Sequence, residues 1–208
     1  MIEIDRAGAR WTVTINRPDK ANSLTRAMLS ELADTVEAAA REDVAAFVLT
    51  GRGKVFSAGA DLDEARAGLA TDPVWERLSG AIAALPGLSI AALNGTLAGG
   101  AFGMALACDL RLAVPGARFF YPVMKLGFLP QPSDPGRLAA LVGPARAKLL
   151  LMGGARIEAD EAYRFGLVDR VVPADEMEAA IEALVADVTA APPMIRSGIK
   201  ALCEGRTV

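Results

Sequence analysis

Apolar residues recur along this chain with two periods. Trp11, Val13 and Ile15 alternate with Thr12 and Thr14, the two-residue period of a half-buried strand, and the turn-forming residues at 16–19 end it. Leu24, Met28, Leu32 and Val36 then recur at every fourth position, the spacing of an amphipathic helix. Residues 45–50, 89–93 and 110–114 are short apolar runs and predict buried strands, and residues 75–85 predict a helix stopped by Pro86-Gly87. Further helices are expected from Arg137, from Pro144 and over 157–165, with Gly166 as a stop, and a last strand over 168–172. Met177, Ile181, Leu184, Val185 and Val188 mark one more amphipathic helix, and Pro192-Pro193 opens another that carries Ile195, Ile199 and Leu202. Strands alternate with helices up to Val172 and only helices follow. The pattern predicts an α/β core over 1–172 and a helical segment over 173–208, and its strand–strand–helix rhythm suggests an internal repeat.

One stretch departs from these patterns. Residues 94–109 read N-G-T-L-A-G-G-A-F-G-M-A-L-A-C-D, a strand exit leading into a helix built of small residues. Each Gly inside a helix costs about 1 kcal/mol against Ala, so Gly99, Gly100 and Gly103 need a reason. Close approach of a ligand to bare backbone N–H groups is one, because a helix N-terminus carries unpaired donors and the positive end of the dipole. Tight helix packing is the other, and the stretch alone leaves both open.

Composition narrows the chemistry. The chain has 208 residues and a net charge of −3, with no basic tract, which argues against nucleic acid as a partner. It contains no histidine, which excludes Ser–His and Cys–His triads and most catalytic zinc sites. Cys108 and Cys203 lack metal-site spacing, no metal is expected, and both read as reduced thiols. The opening residues lack the pattern of a signal peptide, and no apolar run reaches the length of a membrane span, so a cytoplasmic protein is expected.

Three segments in order carry a resemblance: N-R-P-D-K-A-N-S-L at 16–24, F-S-A-G-A-D-L at 56–62, and N-G-x-x-A-G-G closing in A-L-A-C-D at 94–109. Together with tracts at 148–154 and 166–172, they make the chain resemble the crotonase superfamily, the enoyl-CoA hydratase and isomerase group, over about residues 2–204. The resemblance implies a crotonase-like spiral of ββα units with a short C-terminal helical region, and assembly as a homotrimer or dimer of trimers. It implies an acyl-CoA thioester as ligand, with coenzyme A entering as part of the substrate and no separate cofactor. By this resemblance the backbone N–H groups of Ala58 and Gly100 are the oxyanion donors. The loop Ala58-Gly59-Ala60-Asp61 then lines the thioester site, and Lys20 lies near the CoA phosphates.

Two positions depart from that pattern. Hydratases of the family place one catalytic Glu three residues after the oxyanion glycine, where this chain has Gly103, and a second after a proline, where Pro122 is followed by Val123. Hydration needs a base for water and an acid for the α-carbon, so the usual hydratase chemistry is expected to be weak or absent. Asp134 is the candidate replacement acid–base, set against a reading as an Asx turn or helix cap before Arg137. Asp61 and Asp109 are expected to serve loop structure, Tyr121 to be pocket wall, and Lys125 to lie on a solvated face. The two functional readings are an acyl-CoA enzyme that works through an enolate and an acyl-CoA-binding pseudoenzyme or partner subunit.

Overall fold

A computed structural model of the chain describes residues 1–207. The antiparallel hairpin of β1 (Ile2–Ala7) and β2 (Arg10–Ile15) comes first. Helix α1 (Arg26–Arg41) follows, with the Thr25 side chain accepting from the Met28 N–H as its N-cap. Met28, Leu29, Leu32 and Val36 form its buried face. Leu24 lies before the cap and instead pairs in a β-bridge with Ala60.

The chain then turns three times through one unit. The first turn is β3 (Ala46–Gly51), β4 (Val55–Ser57) and the helices α2 (Leu62–Arg66) and α3 (Val74–Ala83). The second is β5 (Leu88–Leu93), β6 (Thr96–Ala98) and α4 (Phe102–Ala107). The third is β7 (Leu110–Ala113), β8 (Arg118–Phe120) and α5 (Val123–Leu126). In every turn the first strand enters a six-stranded sheet and the second enters a four-stranded one. β3, β5 and β7 are parallel neighbours in the larger sheet, and β4, β6 and β8 are parallel neighbours in the smaller. This is the expected spiral of ββα units. Helices α6 (Asp134–Val142) and α7 (Pro144–Leu151) follow, then β9 (Ile157–Glu158), α8 (Ala159–Phe165), β10 (Arg170–Val171), α9 (Met177–Ala190) and α10 (Pro193–Cys203).

The central strands β3, β5 and β7 of the six-stranded sheet are buried on both faces, which is why they read as unbroken apolar runs. Phe47 and Leu49 point into the main core with Phe56, Phe102 and Phe119. Ala46, Val48, Ile90, Ala92 and Leu112 point the other way, against Ile181 and Val185 of α9. α10 buries no residue fully, and Met194, Ile199 and Leu202 on it are exposed. Among the described residues, no helix is long and apolar enough to cross a membrane.

The structure corrects several expected boundaries. β4, β6 and β9 were not expected as strands; at two or three residues they are too short to show a period. The strand expected at 168–172 contracts to β10, and β9 takes the first residues of the helix expected over 157–165. The glycine-rich stretch is not helical from its start. Thr96–Ala98 is strand, Gly99–Ala101 is a 3-10 turn, and α-helix begins at Phe102. Asn94 fixes its entry, because its Oδ1 accepts from the Gly51 N–H at 3.0 Å and its Nδ2 donates to the Gly53 carbonyl at 2.9 Å.

Candidate active site

The loop after β4 and the turn after β6 meet because their strands pair in parallel, Ser57 opposite Leu97. Gly59 is the point of closest approach. Its φ is +91°, and a Cβ there would stand 3.0 Å from the Ala98 carbonyl oxygen and 3.2 Å from the Gly100 nitrogen. Only glycine meets both conditions. Gly100 is the second residue of the 3-10 turn, ahead of the first turn hydrogen bond, so its N–H has no partner within the turn. The indole of Trp75 packs on Gly100, with ring atoms 3.3 Å from the position of a Cβ there, and is held by Nε1 donating to the Leu69 carbonyl at 2.8 Å. Gly99, Gly100, Trp75, Tyr121, Val123 and Gln131 line one cleft.

The Ala58 expectation needs correction. Its N–H donates to the Ala21 carbonyl at 3.0 Å and is already spent. Two residues on, the geometry differs. The Leu24 N–H donates to the Gly59 carbonyl at 2.8 Å and the Asp61 N–H to the Leu24 carbonyl at 2.9 Å. In a parallel bridge of this kind, the residue between those two groups turns its own N–H to the opposite side. That residue is Ala60, the neighbour of Gly59, where a Cβ would meet the Gly99–Gly100 turn. The Ala60 N–H makes no hydrogen bond among the described residues.

Asp134 begins α6 but does not cap it. Its Oδ2 accepts from the Tyr121 hydroxyl at 2.9 Å, and its Oδ1 is buried with no hydrogen-bond partner among the described residues. The capping reading therefore falls. A Cβ on Gly103 would stand 2.8 Å from Oδ1, so the carboxyl fills the space that a side chain at 103 would take, one helical turn beyond Gly100. Burial pushes its pKa up to about 7; the Tyr121 hydrogen bond pulls it down, Glu76 raises it further and Arg137 lowers it. The Tyr121 ring, buried and stacked on Phe102 at 5.3 Å, has its phenol pushed well above the usual range by burial and by the Asp134 charge. Val123 is buried in the cleft wall and brings no polar group.

The other sequence candidates sort by their contacts. Asp61 caps α2 through the Asp63 N–H and pairs with Arg17 at 2.8 Å, which holds its carboxyl below the usual range. Asp109 accepts from the Ser89 N–H and from Lys200 at 2.8 Å each. Both carboxylates serve loops. Lys20 is exposed on the turn before Ala21, alongside the 58–61 loop, and Lys125 is exposed. Sequence reasoning missed Trp75, Gln131 and Glu76. Gln131 ties its loop to the Ala70 carbonyl at 3.0 Å, and Glu76 accepts from both the N–H and the hydroxyl of Ser133, beside Asp134. Nothing in the local pattern distinguishes these three from ordinary helix and loop residues. Among the described residues, no group of three or more His, Cys, Asp or Glu is placed to hold a metal ion.

The enoyl-CoA hydratase/isomerase family model matches residues 7–204. The chain belongs to that family. It is 39% identical over 173 residues to a probable enoyl-CoA hydratase, echA8, of Mycobacterium leprae, covering 79% of this chain and 66% of that protein. It is 31% identical over 209 residues to 4-chlorobenzoyl coenzyme A dehalogenase-2 of an Arthrobacter species, covering 96% of this chain and 76% of the relative. The solved enoyl-CoA hydratase of Bacillus anthracis superposes with a TM-score of 0.89 at 31% identity, covering 98% of this chain and 82% of that one. The chain thus spans between about two thirds and four fifths of the length of these family members.

Proposed function

We propose that the protein binds an acyl-CoA thioester, stabilises its enolate with the backbone N–H groups of Gly100 and Ala60, and moves a proton with Asp134 as its one carboxyl acid–base. The observation that carries this reading is the orphan Oδ1 of Asp134, buried over Gly103 one turn from the Gly100 donor. Two preorganised backbone donors suit a thioester oxygen gaining charge, each worth about 3–4 kcal/mol in the transition state. A carboxyl that titrates near neutrality suits transfer in either direction.

The reaction proposed is not two-carboxylate hydration, because Val123 has no proton to give or take. Relatives named as hydratases and as a dehalogenase indicate that members of this family differ in reaction. One carboxyl fits chemistry in which a proton next to the thioester is removed and returned, such as exchange or double-bond migration. Coenzyme A arrives with the substrate, so the proposal includes no separate cofactor. Gly59, Ala60 and Asp61 would frame the thioester and Lys20 would meet the CoA phosphates. Assembly as a homotrimer and a cytoplasmic location belong to the same proposal; sedimentation velocity reads the first and fractionation the second.

The test is proton exchange. Butyryl-CoA in deuterium oxide is followed by proton NMR at its α-carbon, alongside thermal shifts with acyl-CoAs of several lengths. Exchange by the wild type that disappears in Asp134→Asn, with the thermal shift kept, is the expected result. No thermal shift with any acyl-CoA would sink the reading. A second reading, binding without turnover, is favoured by Gly103 and Val123 together; a thermal shift with no exchange by the wild type would support it instead.

A further inference from the structure

Asp134 is held from two sides by residues outside its own helix. From the β8 side, the Tyr121 hydroxyl reaches Oδ2 at 2.9 Å, and its ring is clamped against Phe102. From α3, both carboxylate oxygens of Glu76 accept from the Ser133 hydroxyl at 2.9 Å, and one of them also accepts from the Ser133 N–H at 3.1 Å. This pins the backbone from which Asp134 projects. On the α4 side stands only the bare Gly103, which adds no charge. Within α6 the facing charge is Arg137.

We propose that Tyr121 is the positioning residue of this site: it occupies Oδ2 as a donor and so assigns the movable proton of Asp134 to Oδ1, over Gly103. This deepens the acyl-CoA reading above and rests on it. The phenol keeps its own proton through the working range, since burial and the neighbouring carboxyl both oppose its ionisation. It therefore remains a donor to Oδ2, and a neutral Asp134 carries its hydrogen on Oδ1. The ionised form is stabilised by the same bond, because a carboxylate accepts more strongly than a neutral carboxyl. Glu76 acts with the opposite sign, since its nearby negative charge favours the neutral carboxyl.

The test titrates Asp134 directly in the whole protein, by carbon NMR of aspartate-labelled samples, with the resonance assigned by its loss in Asp134→Asn. Tyr121→Phe keeps the ring on Phe102 and removes only the hydroxyl. It is expected to raise the Asp134 midpoint by about one pH unit, whereas Glu76→Gln is expected to lower it. In the butyryl-CoA exchange assay, Tyr121→Phe is expected to lower the maximal rate at least tenfold at neutral pH while leaving KM within about threefold. An unchanged midpoint in Tyr121→Phe overturns the proposal, and so does a midpoint that moves down. If the wild type shows a thermal shift but no exchange, the proton-transfer part of the acyl-CoA reading fails and binding without turnover stands, while the titration still decides the role of Tyr121. A Tyr121→Phe protein that fails to fold would show the hydroxyl to be structural and would equally overturn it.

Discussion

The carboxyl of Asp134 occupies the space above Gly103, with Oδ1 only 2.8 Å from where a Cβ on that glycine would be. The two positions are sequence-distant and lie on different helices, α6 and α4, yet they exclude each other sterically. A glycine inside a buried helix is explained here by what leans on it. The packing reading of the small-residue stretch fits Gly103, which makes room for a carboxyl, whereas Gly100 leaves its N–H without a partner in the turn.

Mutual exclusion predicts coupling. Gly103→Glu places a long acidic side chain against a buried carboxyl and should cost about 1–3 kcal/mol from overpacking alone, before charge repulsion. Removing the obstacle in Gly103→Glu/Asp134→Gly should recover part of that loss. Urea unfolding midpoints of the two single variants and the double variant give the coupling. Strict additivity would mean that the two side chains do not compete for one space.

Gly59 presents a second close approach, combining φ of +91° with backbone atoms of Ala98 and Gly100 at 3.0 and 3.2 Å from a Cβ. Gly59→Ala must either strain its own backbone or push the Gly99–Gly100 turn away. A loss of about 2–4 kcal/mol is expected from conformational strain and overpacking together. The thermal shift given by an acyl-CoA should also vanish, because the Gly100 and Ala60 donors would move apart. A stable variant that still responds to the ligand would contradict this geometry.

The long strands and helices were legible in the sequence because burial on one or both faces leaves a period or an apolar run; α1, β3 and β5 are examples. The second strand of each unit was not legible. β4 and β6 are three residues long and hold their place through pairing with chain far away in sequence. The two loops that the motifs marked do meet, but the unbonded N–H in the first loop is that of Ala60 and not of Ala58. Only the bridge between Leu24 and Ala60 reveals which way each N–H points, and no local pattern encodes that bridge. Asp134 could be named from sequence as a replacement acid, while its partners Tyr121 and Glu76 became visible only when α3, α6 and the segment after β8 were brought together.

Trp75 lays its ring against Gly100, 3.3 Å from where a Cβ would stand, and ties itself to Leu69 through Nε1. Trp75→Phe should cost about 1–2 kcal/mol, from the lost indole hydrogen bond and the smaller ring, while the Asp72 N–H still donates to the Leu69 carbonyl. Trp75→Ala should cost about 3–5 kcal/mol and open the cleft to water beside the donor. Thermal unfolding orders the two variants. In the exchange assay, Trp75→Ala should lose more rate than Trp75→Phe, and equal rates would mean that the ring does not screen the site.

Asp134 should also leave a signature in how stability changes with pH. Its carboxyl titrates near 3.8 in the unfolded chain and near 7 in the folded one, because burial disfavours the charge. Between those values the folded protein holds a proton that the unfolded chain releases, so stability falls as pH rises through this window. Its contribution is fully present below about pH 4 and is lost by the time the pH has passed 7. Asp134→Asn removes the titration while keeping the shape and an acceptor for Tyr121. Relative to that variant, the wild type should lose up to about 4 kcal/mol between pH 4 and pH 8. Parallel urea titrations at half-unit steps read the difference directly. A difference that stays flat across the window would show that the carboxyl is solvated and ionised in the fold, and it would then have no proton to hold over Gly103.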